Sequence, residues 1–313
     1  MSVAGKILLY GYHQPIGLIR DSWRHGGPIA QWHTRRKRQA MEGAAARLPP
    51  LPFTQGWETT TVHLLTGRRY WAQTAFCLDT LARACRSNVA ADLYDDGTLD
   101  TDMREHLERL GARIRIHTLA TLADRLDREL PSARFPHLRE RYRSYPNLRK
   151  LVDIHAGGRG AKLVLDSDLL FFRHPQAMLD WLRAPRGILH ATDCIESYGY
   201  SRPLLERLAG TPLPTRVNVG VCGLVSDNID WDLLECWTRE LLRAEGTSYY
   251  LEQALVTLLA ARSAERIALP AEDYVTMPER SEVLQPTAVM HHYVDTSSRW
   301  YFGHAWQRFV SAS

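Results

Sequence analysis

The sequence lacks the features that mark membrane-spanning and nucleic-acid-binding chains. Its best apolar run, Ala254 to Ala261, is far shorter than the ~18 residues that a membrane-spanning helix needs, and its start has too few apolar residues for a signal peptide. The net charge of +4, from 39 Lys and Arg against 35 Asp and Glu, is too small for a nucleic-acid-binding protein of this size. We therefore predict a cytoplasmic protein with no transmembrane segment and no nucleic-acid partner.

The cysteines are few and scattered. There are five, an odd number, and no two of them form a CxxC pair. This usage is typical of reduced cytoplasmic thiols and favours neither a disulfide framework nor a zinc site. What the chain does have, over 313 residues, is 45% hydrophobic and 24% charged residues, which is the composition of a soluble globular protein with one large domain or two.

The first sixty residues differ from the rest because they are rich in residues that break regular structure. They include Gly26, Gly27 and Pro28, and a second cluster of three prolines at residues 49–52. We predict an irregular N-terminal extension over residues 1–60, a proline-stiffened linker, and one folded domain over residues 61–313.

From residue 61 onward, apolar strands alternate with amphipathic helices. Short apolar runs at residues 61–65 and 89–95 predict strands, and residues 70–85 between them carry apolar side chains at helical spacing. The segment AKLVLDSDLLFF, residues 161–172, is the most strand-like in the chain. This alternation predicts an α/β fold in which helices flank a mainly parallel sheet.

Two acidic residues, Asp166 and Asp168, follow the apolar run Leu163–Leu165. Ionised carboxylates inside a strand that is buried on both faces are costly, so the carboxyl edge of the sheet, where open α/β sheets bind ligands, is their expected position. Residues i and i+2 point to the same side of an extended chain, so both carboxylates can share one hard divalent cation, Mg²⁺ or Mn²⁺. The alternative is a helix-capping aspartate with a salt bridge.

The segment around these residues, KLVLDSDLLFFRHP, resembles the DxD strand of GT-A-fold glycosyltransferases. Four further segments resemble motifs of the retaining, glycosyltransferase-family-8-like enzymes and occur in the same order. They are LRKLVDI (148–154), VNVGVCGL (217–224), LEQAL (251–255) and HYVDTSSRW (292–300). The resemblance covers about residues 61–306 and implies a GT-A-like, that is Rossmann-like, domain.

The resemblance implies a metal-dependent enzyme that moves a sugar from a nucleotide-diphosphate donor, a UDP- or GDP-sugar, to an acceptor hydroxyl with retention of configuration. Asp168 would ligate Mn²⁺ or Mg²⁺, Asp166 would share the ion or bond the donor ribose, and His292 would be the third ligand. The acceptor stays open between a saccharide, a lipid-linked molecule and a small molecule. The basic run His33 to Gln39 would suit peripheral contact with an anionic membrane or with an acidic acceptor.

Further candidates lie on the same motifs. The donor diphosphate would face Arg149, Lys150 and Arg299, whose fixed positive charge offsets the charge that develops on the leaving group. Asn218 would bond a hydroxyl of the donor sugar, since the neighbouring Gly220 lets backbone approach a ligand closely. The alternative for Arg149 and Lys150 is a solvated helix end, and the alternative for Asn218 is a turn asparagine.

The remaining candidates lie at a helix start and after the first two strands. Glu252 would orient the donor sugar or deprotonate the acceptor, and Gln253 would lie behind the anomeric carbon, although the helix dipole alone also favours a first-turn glutamate. The nucleotide would lie near residues for which core packing or a plain turn is the alternative, namely Thr66, Arg68, Tyr70 and Asp95.

Two other functions compete with glycosyl transfer. A phosphohydrolase of the haloacid-dehalogenase type also has an apolar strand that ends in DxD, but near the domain start and with Thr or Val where this chain has Leu170. A catalytically inactive nucleotide-sugar-binding protein would keep the motifs without turnover. Metal-dependent nucleotide binding with no turnover of any donor would distinguish it.

Overall fold

A computed structural model describes residues 27–310, and their side chains from residue 36 onward. Ten strands occur in this part of the chain. Their bounds are β1 (Thr59–Thr66), β2 (Asn88–Asp95), β3 (Ile114–His117), β4 (Ala161–Leu165), β5 (Leu169–Phe171), β6 (Ile188–Thr192), β7 (Val217–Val225), β8 (Arg266–Ala268), β9 (Tyr274–Thr276) and β10 (Met290–His292).

Seven of these strands form the main sheet, in the order β3-β2-β1-β4-β7-β6-β8. Four of its six pairings are parallel, and the two antiparallel ones join β7 to its neighbours β4 and β6. The other three strands form a small second sheet in the order β5-β10-β9. The predicted α/β fold with a mainly parallel sheet is therefore confirmed.

Helices cover the sheets. The described residues form twelve α-helices, and short 3₁₀ turns follow β7, β10 and the last helix. The helices are α1 (Gly27–Ala45), α2 (Trp71–Ala84), α3 (Thr101–Glu108), α4 (Leu119–Glu129), α5 (Pro136–Ser144), α6 (Leu148–His155), α7 (Gln176–Arg183), α8 (Arg202–Ala209), α9 (Trp231–Glu245), α10 (Leu251–Arg262), α11 (Arg280–Leu284) and α12 (Ser298–Gly303).

The burial of each element follows from its composition. Every residue of β7 except Val225 is buried, as expected for an apolar strand covered by helices on both faces. Helix α2 is buried along residues 71–82, where it carries Ala, Phe and Leu side chains and few charges. Asp100 and Asp230 begin α3 and α9, because each carboxylate accepts a hydrogen bond from a backbone N–H of the first turn.

The predicted irregular extension is helical in part. Residues 1–26 lie outside the described residues, but α1 follows them and packs on α2 and α12. Met41 and Ala44 are buried in the same core as β1. The expectation of irregular structure is wrong for α1. Pro28 lies in the first turn of this helix, where a backbone N–H makes no hydrogen bond within the helix, so a proline is tolerated there. The domain boundary near residue 60 stays a prediction.

The most strand-like segment of the sequence divides into two strands in different sheets. Strand β4 pairs with β1 and β7 in the main sheet, whereas β5 pairs with β10 in the small sheet. Residues 166–168 connect the two strands, so the predicted carboxylates lie at the junction of the sheets. The expected single strand is interrupted there because ionised side chains separate its two apolar halves.

Smaller expectations have mixed outcomes. The basic region between β3 and β4 forms three helices, α4 to α6. All five cysteines are free thiols. Within residues 27–310, no helix has both the length and the apolar character that a membrane crossing requires.

Candidate functional site

Asp166 and Asp168 lie on one side of the chain where β4 ends, and Ser167 between them is buried against helix α2. The backbone N–H of Asp166 donates to the carbonyl of Gly220 at 2.8 Å, which extends the pairing of β4 with β7. The carbonyl of Asp168 accepts from the N–H of Tyr293 at 3.0 Å, just after β10. The two aspartates are thus fixed by different sheets.

His292, the last residue of β10, lies against both carboxylates. Its Nε2 is 3.5 Å from Oδ2 of Asp166 and 3.2 Å from Oδ1 of Asp168. One ligand atom from each residue lies within 4.8 Å of the others. The side chain of His292 is 2% exposed, whereas those of Asp166 and Asp168 are 29% and 21% exposed, so solvent reaches the cluster from the carboxylate side.

These three residues fit a divalent cation. Two carboxylates and an imidazole suit Mn²⁺, and the carboxylates suit Mg²⁺. Within the described chain, neither ring nitrogen of His292 has a hydrogen-bond partner, which is unusual for a buried polar group. Burial lowers the pKa of His292, but the charges of Asp168 and Asp166 raise it to about 10. The cluster therefore favours a positive charge, which a proton or a metal ion supplies.

Gly220 in β7 makes room for the imidazole. A Cβ at this position would lie 2.2 Å from Cε1 of His292, too close for any side chain to be accommodated without displacement. The close approach that the sequence predicted at this glycine is therefore made by a protein side chain, His292.

Lys150 joins the cluster to helix α10. Its Nζ donates to Oδ1 of Asp166 at 2.6 Å and lies 3.3 Å from Oε1 of Glu252. Burial would lower the pKa of Lys150, but these two carboxylates raise it above the usual value, so the ammonium stays charged. Burial raises the pKa of Glu252 to about 7 although Lys150 opposes this. Lys150 also holds the pKa of Asp166 below its usual range, against the effect of burial.

Asp193, which follows β6, is a residue of this site that the sequence reasoning missed. Its Oδ2 accepts from the side-chain amide of Asn218 at 3.2 Å and from that of Gln253 at 3.4 Å. The amide of Gln253 also donates to the carbonyl of Ser197 at 2.9 Å. One carboxylate therefore positions both predicted amides. The signal for it was an aspartate directly after an apolar strand, the same pattern that pointed to Asp166.

Thr66, Arg68 and Tyr70 lie at and after the carboxyl end of β1. The hydroxyl of Thr66 is buried and bonded to a threonine of α2 at 2.8 Å. The guanidinium of Arg68 is exposed and 3.5 Å from the carboxylate of Asp100. Burial is the main cause of the raised pKa of Tyr70; the charge of Arg69 opposes it and that of Asp168 adds to it.

Asp95 and Arg149 lie at the same sheet edge, but their polar groups are used within the protein. One oxygen of Asp95 accepts from the N–H of Gly97 at 2.8 Å, and the other pairs with Arg104. Arg149 donates to Asp153 at 3.0 Å and to the carbonyl of Asp95 at 3.2 Å. These bonds fix the loop after β2, and contact of Asp95 or Arg149 with the donor stays a prediction.

Arg299 lies in the first turn of α12, shortly after β10. Its side chain is exposed, and its guanidinium carbon lies 4.6 Å from the centroid of the Trp300 ring. The structure thus gives Arg299 a cation–π contact, while contact with a diphosphate stays a prediction.

Solved structures that resemble this fold are glycosyltransferases. Mouse xyloside xylosyltransferase 1, in its apo form, aligns with a TM-score of 0.51 and 15% identity over 74% of this chain and 97% of its own. The galactosyltransferase LgtC, solved with donor and acceptor sugar analogs, aligns with a TM-score of 0.52 and 11% identity over 81% of this chain and 96% of its own. The fold is the GT-A glycosyltransferase fold.

A larger GT-A enzyme aligns as well. The bifunctional glycosyltransferase WbbM gives a TM-score of 0.50 and 10% identity over 84% of this chain, and the chain spans about half of WbbM, 53% of its length. No family model and no curated protein matches this chain in sequence. In this GT-A fold, the Asp166–Asp168–His292 cluster lies at the carboxyl edge of the parallel strands β1, β2 and β4, where α/β sheets bind ligands.

Proposed function

We propose that this chain is a metal-dependent glycosyltransferase that moves a sugar from a nucleotide-diphosphate donor to an acceptor hydroxyl with retention of configuration. The observation that carries the proposal is the Asp166–Asp168–His292 cluster on a GT-A fold, with a buried imidazole that lacks hydrogen-bond partners among the described residues. Retention is supported by the order of the motifs, and by the position of Glu252, which is buried against Lys150 rather than open to an acceptor.

Asp166, Asp168 and His292 would hold Mn²⁺ or Mg²⁺. Such an ion neutralises the charge that develops on the departing nucleotide diphosphate. Lys150 adds a fixed, buried positive charge to the same region. Because it is already held by two carboxylates, it needs no reorganisation when the leaving group gains charge.

The donor sugar would lie between the cluster and Asp193. Asp193 holds the amides of Asn218 and Gln253, so the free carbonyl oxygen of Gln253 is kept in one orientation for a sugar hydroxyl or the anomeric carbon. Fixed orientation of this kind lowers the entropic cost of reaching the transition state. Glu252 would fix the sugar through Lys150.

The nucleotide would lie over the loop after β1. Arg68 and Tyr70 have exposed side chains there, so the Tyr70 ring can stack on a base while Arg68 faces a ribose or phosphate. We place Thr66 below them as a packing residue. Arg299 would approach the diphosphate from α12. Both UDP- and GDP-sugars are compatible with this arrangement.

The experiment that tests this function is a panel of UDP- and GDP-sugars assayed with Mn²⁺, with Mg²⁺ and with a chelator. We expect one donor to raise the melting temperature and to be hydrolysed slowly in the presence of metal only. An anomeric assignment of the product by NMR tests retention. Metal-dependent binding of a nucleoside diphosphate without turnover of any donor would contradict catalysis and favour an inactive binding protein.

A further inference from the structure

Five cations from four parts of the chain meet on one surface. The guanidinium of Arg38, in α1, donates to the carbonyl of Arg69 in the loop after β1 and lies 5.7 Å from the ring centroid of Phe302 in α12. The ammonium of Lys37 lies 3.4 Å from the place where Gly303 would carry a Cβ. Arg280 begins α11 and lies against α12. We call this surface the cationic face; its members are Lys37, Arg38, Arg69, Arg280 and Arg299.

Three of these cations, Arg69, Arg280 and Arg299, contact aromatic rings. The guanidinium carbons of Arg280 and Arg299 lie 5.9 Å and 4.6 Å from the ring centroid of Trp300. That of Arg69 lies 5.4 Å from the ring centroid of Tyr70. Contacts of this kind orient a guanidinium without neutralising it, so the charge remains available to an outside anion.

Three nearby glutamates have hydrogen-bond partners of their own. Glu42 pairs with Arg38 at 3.2 Å. Glu279 and Glu282 form the capping box of α11, in which each side chain accepts a backbone N–H of that helix. As far as the described residues go, the other four members of the cationic face form no ion pair within 4.0 Å, although each is exposed.

The electrostatic effect of this excess is visible at His304. This residue follows α12 and stacks on Trp300, with the ring centroids 6.2 Å apart. Burial lowers its pKa, and the charges of Lys37 and Arg280 lower it further. Lys37 and Arg280 therefore both act on the ring of His304, which places these two cations on the same surface.

We propose that the cationic face binds the headgroups of anionic phospholipids and docks the chain on a membrane surface. The cations occupy the outer sides of helices and a loop together with the amphipathic ring of Trp300, a combination that is favoured at a membrane–water interface.

The proposal also accounts for the basic run of the sequence. Residues 35–38 are four consecutive cations in α1. Two of them, Lys37 and Arg38, are members of the cationic face, and the side chain of Arg35 lies outside the described ones. Attraction of this kind is worth about a fivefold change in membrane partitioning per cation and weakens with added salt. Membrane binding by the cationic face does not depend on any step of the proposed sugar transfer.

The test is co-sedimentation of the full chain with vesicles. We expect binding to mixed phosphatidylcholine–phosphatidylglycerol vesicles, little binding to pure phosphatidylcholine, and a decline with KCl. The double variant Lys37→Glu/Arg280→Glu should lower the partition coefficient at least tenfold, in line with about fivefold per cation. Its melting temperature and donor hydrolysis should match wild type, which separates this result from failure of the proposed enzyme.

The matched control is Arg159→Glu/Arg207→Glu, which changes the net charge equally at exposed positions outside the cationic face. It should bind vesicles almost as well as wild type. Equal loss in both double variants, or no binding of wild type to anionic vesicles, would overturn the proposal. Inorganic phosphate that displaces the chain better than KCl of equal ionic strength would also overturn it, since a discrete site for free phosphate would then explain the surface.

Discussion

Two strands of the main sheet carry acidic residues, Asp92 within β2 and Asp166 and Asp168 just after β4, and the protein treats them differently. On β2, both carboxylate oxygens of Asp92 accept from Arg115, at 2.7 and 2.8 Å, and one of them also contacts His117 at 2.9 Å. After β4, Asp166 and Asp168 share a histidine that has no hydrogen bond of its own in the described chain. Both regions have aspartates next to apolar strand residues, so the sequence alone does not separate them. The candidate ligand site is recognised instead by buried polar atoms that have no hydrogen-bond partner in the described chain.

The largest expected effect comes from removing one charge of the β4 pair. Asp168→Asn should lower donor turnover roughly 1000-fold, because the ion loses a charged ligand and with it several kcal/mol of transition-state stabilisation. The melting temperature should stay close to that of wild type, since Asp168 is partly exposed. Steady-state assays at saturating Mn²⁺ and thermal melting measure the two outcomes. Full activity in this variant would remove the basis of the proposed function.

A smaller effect is expected from crowding His292. In Gly220→Ala the new Cβ would displace the imidazole, so we expect a roughly 10- to 100-fold loss of Mn²⁺ affinity, the range found for residues that orient metal ligands. Calorimetric titration of Mn²⁺ measures this. Gly43→Ala is the control, because its Cβ would meet only Arg47 at 3.7 Å. Unchanged affinity in Gly220→Ala would mean that His292 is not a ligand.

A substitution on β2 is expected to lower stability and to leave activity unchanged. Asp92→Asn should lower the free energy of unfolding by about 2 kcal/mol, because it weakens a buried, charge-assisted pair with Arg115 whose guanidinium is itself largely exposed. Activity per folded molecule should not change. Urea unfolding followed by circular dichroism gives the first quantity. A stable Asp92→Asn with reduced turnover would show that the β2 cluster serves the reaction after all.

The smallest expected effect is a loss of folding stability at acidic pH. Burial lowers the pKa of His63, which faces Asp92, from 6.5 to about 4. The unfolded chain therefore takes up a proton below about pH 6.5 that the folded chain refuses until about pH 4, so stability falls as the pH falls through this window. We expect a loss of about 1 kcal/mol at about pH 5.5 that is absent in His63→Gln. An identical pH dependence in both proteins would contradict this.

Much of the fold was predictable because local patterns decide it. The apolar runs of β1, β2 and β7 and the helical spacing of α2 define the parallel sheet and one of its layers. The assignment of β5 to a second sheet was not predictable, since Leu169–Phe171 is as apolar as the strand before it. Only pairing with β10, more than a hundred residues away in sequence, places β5 in the small sheet.

Part of the candidate site was also predictable from the sequence. Asp166, Asp168 and His292 were found from strand ends and motif order, and the structure brings them together. The partners of Asp95 and Arg149 were invisible in the sequence, because a carboxylate that faces Gly97 and Arg104 has the same local pattern as one that faces a ligand. Asp193 was missed since the second residue after it is Ile195, so it has no DxD spacing.

The position of the cluster at the joint between two sheets ties metal affinity to packing far from the metal. Asp166 extends the main sheet and His292 ends a strand of the small one, so any slippage of one sheet against the other changes the spacing of the ligands. An ion held there as proposed would therefore depend on buried residues of the small sheet such as Phe171 in β5. Its loss on warming would then report an opening of this joint that precedes global unfolding.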